Sequence, residues 1–219
     1  MSTTLAPVEK KEPLFGKREK KIFRDGLWEA NPVTFQILGI CSSLAVTTQV
    51  KTALVMSIGL TLVTALGNLV ISMMRNFIPS KIRIIVQLTV VSALVITVDQ
   101  ALKAYAYDIE KQIGVFVGLI ITNCIVMGRL EAYAMSNKPW PSFLDGIANG
   151  LGYSCVLVIL GAIREVFGSG SLLGFKVIPE GFYAAGYANN GMMVLAPGAF
   201  FLLGAIIWIQ RSITGYSEK

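Results

Sequence analysis

The sequence predicts an all-α polytopic membrane protein: six transmembrane helices in two inverted three-helix repeats, the first helix of each repeat short or broken. Three observations predict it. Of 219 residues, 54% are hydrophobic and only 15% charged, with a mean hydropathy of +0.64; soluble domains carry about a quarter charged residues. The charges then leave six uncharged gaps of 21, 23, 15, 17, 18 and 30 residues. A helix needs roughly 20 apolar residues to cross the hydrocarbon core. Finally, one cysteine lies at a matched place in the first and in the fourth gap.

Taken in order, residues 1–30 are polar and basic and lack the apolar core of a signal peptide. Between Leu14 and Trp28, Phe15, Phe23 and Leu27 are interspersed with lysines. That stretch reads either as an amphipathic helix on an anionic membrane surface or as a basic tail. The first span, 32–49, opens at Pro32 and carries Leu38-Gly39-Ile40-Cys41-Ser42-Ser43. The second, 52–74, holds Ser57, Gly59, Gly67 and Asn68, small and polar residues that suit close helix packing in lipid. The third, 83–102, contains Gln87 and places Asp99 at the interface.

The fourth span, 112–128, is short and reads as tilted or broken; it carries Ile121-Thr122-Asn123-Cys124-Ile125-Val126. The fifth, 146–167, follows Asp145, which suits a helix cap, and ends at Arg164-Glu165, read as an interfacial pair. Gly168 to Asn190 is polar and glycine-rich and reads as an extracytoplasmic loop. The sixth span, 191–210, contains Pro197 and Gly204. Trp28, Tyr105, Tyr107, Trp140, Tyr183 and Trp208 suit an interfacial belt. The chain thus divides into a basic segment at 1–30, a membrane domain at 31–211 with halves at about 31–105 and 112–211, and a tail at 212–219.

Lysine and arginine divide 14 against 5 between the two sides of these spans, which places both termini in the cytoplasm. The net charge of +6 reads as an orientation signal, not a nucleic-acid footprint. Three spans per half is an odd number, so repeated halves must be inverted. Inverted repeats often build a midplane site from discontinuous helices. Each half opens on a cysteine-bearing segment, followed by an asparagine (Asn68, Asn149) and then an arginine at a span end (Arg75, Arg164).

The candidate chemistry rests on Cys41 and Cys124. Thiolates ligate metals, and a coordinated metal cancels a charge that hydrocarbon would penalise. Two cysteines cannot complete a four-thiolate site, so such a site needs two more from another chain. Exposed N–H groups of a half-helix terminus beside each cysteine would favour negative sulfur. The competing reading is that both are small apolar packing residues. Cys155 has no counterpart in the first half and reads as structural. Asn68, Gln87, Asn123 and Asn149 at membrane depth either bond between helices or line an ion path. The chain has no histidine, no Walker lysine and no nucleotide-binding glycine loop, so NADH must bind another subunit if it is used at all.

Several runs resemble the D-subunit family of the Na+-translocating NADH:quinone reductases. They are Leu38-Gly39-Ile40-Cys41-Ser42, Arg83-Ile84-Ile85-Val86-Gln87 and Val98-Asp99-Gln100-Ala101-Leu102-Lys103-Ala104-Tyr105. Val117 to Arg129, Asp145-Gly146-Ile147 and Asn149-Gly150-Leu151-Gly152-Tyr153 belong with them, and the likeness covers about residues 28–211. The resemblance implies a bacterial inner-membrane complex of six subunits that carries electrons from NADH to ubiquinone and pumps Na+ outward. It implies a paralogous E-type subunit of opposite topology and an iron centre held by two cysteines from each chain. That centre is a 2Fe-2S cluster, with mononuclear iron as the alternative; Cys41 and Cys124 match the cysteine positions. Flavins, NADH and quinone fall to other subunits, so no complete active site lies on this chain. The alternatives are the homologous E-type component of an Rnf-type ferredoxin:NAD+ complex, a secondary ion transporter without redox chemistry, and a scaffold.

Overall fold

The computed structural model describes residues 17–29, 31–79, 81–105, 118–173, 175–176 and 191–214. Two long helices form its centre. Helix α3 (Val50–Met74) and helix α6 (Pro139–Ser169) are each long and apolar enough to cross a membrane. They run antiparallel and touch backbone to backbone. A Cβ added at Gly146 would stand 2.7 Å from Ala65 Cα, and one at Gly150 would stand 2.8 Å from Thr61 Cα. In lipid the hydrophobic effect does not drive helices together, so close packing of small residues carries the association. Ser57, Thr64, Asn68 and Ser72, spaced at helical intervals, share a buried face of α3. Asn68 donates to Ser142 O at 3.1 Å and Ser72 to Asn137 O at 2.6 Å, so the end of α3 holds the start of α6.

Helices α4 (Arg83–Tyr105) and α8 (Ala196–Thr214) are also apolar and long enough to cross, and they lie at the periphery, with only 17% of their spanning windows buried. Ile85, Phe201 and Trp208 point outward from them. The remaining elements are short. Helix α1 (Lys17–Arg24) runs into a π-helical turn at Asp25–Glu29. Helix α2 (Ile40–Val46) has seven residues. Helix α5 (Cys124–Arg129) continues as a π-helical turn through Ala134. Helix α7 (Gly191–Val194) is a single turn, and Ser171–Leu172 pairs with Phe175–Lys176 as a two-residue antiparallel hairpin.

The all-α, multi-pass expectation therefore holds, with four described helices of spanning length. The first and fourth expected spans are not continuous helices. At about 1.5 Å per residue, α2 extends only about 10 Å. Residues 31–39 before it form turns, and residues 118–121 form a helical turn that breaks at Thr122–Asn123 before α5. Irregular backbone at membrane depth survives only when protein satisfies it. The Asn31 side chain does so, accepting from Val33 N at 3.0 Å while donating to Gly152 O at 3.1 Å. Asn31, Val33 and Thr34 are buried.

Two local readings are corrected. Asp145 does not cap the fifth span, because that helix starts at Pro139, where a proline in the first turn costs no hydrogen bond. Asp145 instead lies inside α6 against Arg129. Arg164 and Glu165 are not an ion pair with one another. Neighbours on a helix diverge by about 100°, and each is buried in a different contact. Part of the N-terminal stretch is docked: Gly26 lies against Ala148, where a Cβ would approach within 2.8 Å. Residues 1–16, 106–117, 177–190 and 215–219 fall outside the described residues, and with them part of the fourth span, most of the long loop, Tyr107 and Tyr183.

Candidate functional site: two cysteine turns joined by a buried polar chain

Both candidate cysteines stand at the start of a short helix that follows a break. Cys41 is the second residue of α2, and Cys124 is the first of α5. Both thiols are exposed on this chain. Their neighbours turn inward: Ser42 and Ser43 are buried beside Cys41, and Asn123 and Ile125 beside Cys124.

Gly39 sets the first turn. Its φ of 75° is left-handed, which glycine adopts without strain. A Cβ there would also come within 2.6 Å of Ile125 Cδ1 and 3.3 Å of the Tyr153 ring. The carbonyl of Gly39 accepts from the Ser42 and Ser43 hydroxyls, each at 2.9 Å. Just upstream, Ile37 holds φ at 57°, an uncommon and costly conformation for a β-branched residue. Asn123 sets the second turn. Its Oδ1 accepts from Ile125 N at 3.0 Å, an N-cap that satisfies one of the first free amides of α5.

The two turns are bonded to each other. Asn123 Nδ2 donates to Ser42 Oγ at 3.1 Å, and Tyr153 Oη lies 2.8 Å from the same oxygen. Ser42 spends its only proton on Gly39 O, so the Tyr153 hydroxyl is the donor to Ser42. Ser42 thus donates once and accepts twice. Tyr153 is fully buried, and Ser42 and Asn123 are each 3% exposed. Side-chain hydrogen bonds closed off from solvent hold geometry firmly. The result is two outward thiols whose supporting turns are tied through one serine.

Cys155 is exposed as well but stands in the middle of α6 rather than at a helix start. It lines a groove with Leu27, Val156, Ile159, Ile206 and Ile209, to which neither cysteine turn contributes. Among the described residues no group of three or more His, Cys, Asp or Glu side chains converges. Cys41 and Cys124 supply two thiols, too few to complete a four-thiolate site by themselves.

Of the polar residues expected at membrane depth, Asn68, Gln87 and Asn123 link elements, and Asn149 bonds within α6. Arg129 Nε donates to Asp145 Oδ2 at 2.9 Å, and its Nη2 bonds Oδ1 of the same carboxylate. Asn149 Nδ2 donates to Asp145 Oδ1 at 3.0 Å, and the Arg129 guanidinium lies 5.4 Å above the Tyr133 ring. Gln87 ties α4 to Glu131 at 2.9 Å, beside an Arg83–Glu131 ion pair. Asn68, Gln87 and Asn149 each keep one buried carbonyl oxygen without a protein partner. Asn123 uses both ends of its amide.

Tyr153 and Ser42 are positions that sequence reasoning misses as functional. Ser42 sits beside Cys41 as Asn123 sits beside Cys124, and that shared polar neighbour is the available signal. Tyr153 gives none, because its partner lies 111 residues away.

A family model described as "Rnf-Nqr subunit, membrane protein" matches residues 19–207. The chain is 57% identical over 197 residues to the D subunit of the Na(+)-translocating NADH-quinone reductase of Pseudoalteromonas atlantica, covering 90% of this chain and 94% of the relative. It is 56% identical over 195 residues to the corresponding D subunit of Shewanella pealeana, covering 89% and 93%. The D subunit of Serratia proteamaculans is 53% identical over 197 residues, covering 90% and 94%.

Proposed function

The chain belongs to the Rnf-Nqr family of membrane subunits, among the D subunits of Na+-translocating NADH-quinone reductases, and on that premise we propose that it relays electrons within such a complex. Cys41 and Cys124 supply two of four thiolates to an iron–sulfur centre shared with a paralogous membrane subunit. A centre so held would take up and release one electron at a time on the way from NADH to ubiquinone. NADH, flavins and quinone belong to other subunits, and outward Na+ pumping is a property of the assembly.

One observation carries this reading: two exposed thiols on separately broken segments, with their turns tied by the Asn123–Ser42 bond. Cys155 is exposed too, so exposure alone does not mark a ligand; Cys41 and Cys124 differ from it in standing beside helix starts whose first amides lack intrahelical acceptors.

The chain's own residues place and shield. Gly39 and Asn123 end the preceding segments so that each cysteine lies in the first turn of its helix. Val46, Ile125, Val126 and Leu130 pack beneath the turns and exclude water. The six-segment architecture belongs to the same proposal. α2 and α5 are the inner parts of two broken spans, and each opens a half made of one broken segment, one central helix and one peripheral helix. Both termini face the cytoplasm of an inner-membrane protein. Identities of 53–57% to D subunits favour the quinone reductase over an Rnf-type complex.

Iron analysis and electron paramagnetic resonance on the purified complex bearing Cys41→Ala or Cys124→Ala test the proposal. The expected result is loss of one iron centre and collapse of quinone reduction, with NADH oxidation at the first flavin intact. Unchanged iron and turnover in both variants would make the cysteines packing residues and the chain a scaffold or ion-path component.

A further inference from the structure

We infer that Tyr153 is a positioning residue that sets the mutual placement of the Cys41 and Cys124 turns, acting through Ser42 and Asn123. The inference rests on the reading of Cys41 and Cys124 as ligands, and its test separates the two.

Tyr153 projects from the middle of the central helix α6, which is packed along α3, and is fully buried. Its ring packs at Gly39, where even a methyl group would come within 3.3 Å of it. Its hydroxyl donates to Ser42 Oγ at 2.8 Å. Ser42 is the residue after Cys41, and it accepts from Asn123, the residue before Cys124, at 3.1 Å. Each cysteine is therefore one peptide unit from a side chain of the same three-membered chain. Among the described residues, no other side-chain hydrogen bond joins one turn directly to the other. Removing the Tyr153 hydroxyl leaves Ser42 with one donor fewer in a buried site, and the serine can then rotate away from Asn123.

A shared centre makes that spacing matter. Two thiolates from this chain must meet two from another, and a ligand set displaced by about an ångström is a different site electronically and geometrically. Ser154, the next residue along α6, provides an internal contrast. Its hydroxyl donates to Gly150 O at 2.7 Å and lies 3.3 Å from Thr61 Oγ1 on α3, away from both cysteine turns.

The experiment compares Tyr153→Phe, Ser42→Ala, their double variant and Ser154→Ala in the whole complex. Two readouts are taken. One is the midpoint potential and paramagnetic spectrum of the iron centre. The other is cross-linking of Cys41 to Cys124 by bifunctional thiol reagents of graded length in complex from iron-depleted cells. For Tyr153→Phe the expected result is retained iron and a few-fold to tenfold shift in the one-electron equilibrium, up to about 59 mV. The spectrum broadens, and reagents of a wider range of lengths bridge the pair. The double variant is less than additive, because the two groups share one hydrogen bond. Ser154→Ala changes neither readout.

An unchanged potential and cross-linking pattern in Tyr153→Phe overturns the inference, as does full additivity in the double variant. If the cross-linking pattern widens while Cys41→Ala keeps all its iron, the positioning role stands and the ligand reading falls.

Discussion

Arg164 shows what a charge costs and does inside this protein. It is 1% exposed, and its guanidinium donates to Met193 O at 3.0 Å, Val194 O at 2.6 Å, Leu44 O at 3.1 Å and Thr47 Oγ1 at 2.5 Å. Those carbonyls end helices α7 and α2, where no intrahelical donor is left for them. Glu165 does the converse, accepting from Val50 N at the start of α3 at 2.7 Å and from Leu173 N at 2.8 Å. A cation thus serves helix C-termini and an anion serves an N-terminus, as the helix dipoles favour. Lysine lacks the planar fork and cannot serve both helix ends at once. Arg164→Lys is expected to lower stability by about 1–3 kcal/mol, the cost of unsatisfied buried groups, and Arg164→Leu by more. Thermal release of this subunit from the purified complex measures it; an unchanged midpoint for Arg164→Lys would show that one helix end suffices. The pair was legible as two charges at a span end. Their separate partners were not, since those of Arg164 are 29 to 120 residues distant.

Among elements, the contact of α3 with α6 decides the fold. Gly146 and Gly150 sit where the partner backbone leaves no room for a methyl group. Gly146→Ala and Gly150→Ala should each cost about 1–3 kcal/mol by forcing the helices apart. Gly204 on α8 has nothing within 4 Å of an added Cβ, so Gly204→Ala should be neutral or slightly stabilising through helix propensity. Subunit yield in the membrane and the thermal midpoint distinguish them; equal effects at all three positions would mean that packing is not the cause. The small residues of α3 were readable as packing residues. The start of α6 was not, because Asp145 resembles a boundary until Arg129 is placed against it. The cysteine segments were readable as short or broken, since neither has the sustained apolar length of a span. That each break falls within two residues of its cysteine emerged only from Gly39 and Asn123 in the folded chain.

For the whole molecule, α3 and α6 form a buried spine, and α4 and α8 turn Ile85, Phe201 and Trp208 outward, towards lipid or neighbouring subunits. The N-terminal segment is held to the spine by Asn31 and Gly26. On the proposed architecture, four full spans and two matched broken segments leave both termini on one side, and the excess of lysine and arginine makes that side the cytoplasm. A fluorescent protein fused after Lys219 should therefore fluoresce, and a phosphatase that needs export should be inactive there. The opposite pattern would reverse the orientation.

The sequence alone determined the solvent this protein lives in, its helical class and the two cysteines worth testing. Those properties follow from local quantities: hydropathy summed over about 20 residues, the spacing of charges, and residue chemistry. Only the tertiary structure decided that Asp145 answers Arg129, that Arg164 closes two helix ends, and that Tyr153, Ser42 and Asn123 join the two cysteine turns. Each of those is a hydrogen bond or ion pair between residues on different elements. In hydrocarbon a polar group must find such a partner, but its own sequence neighbourhood does not say which one.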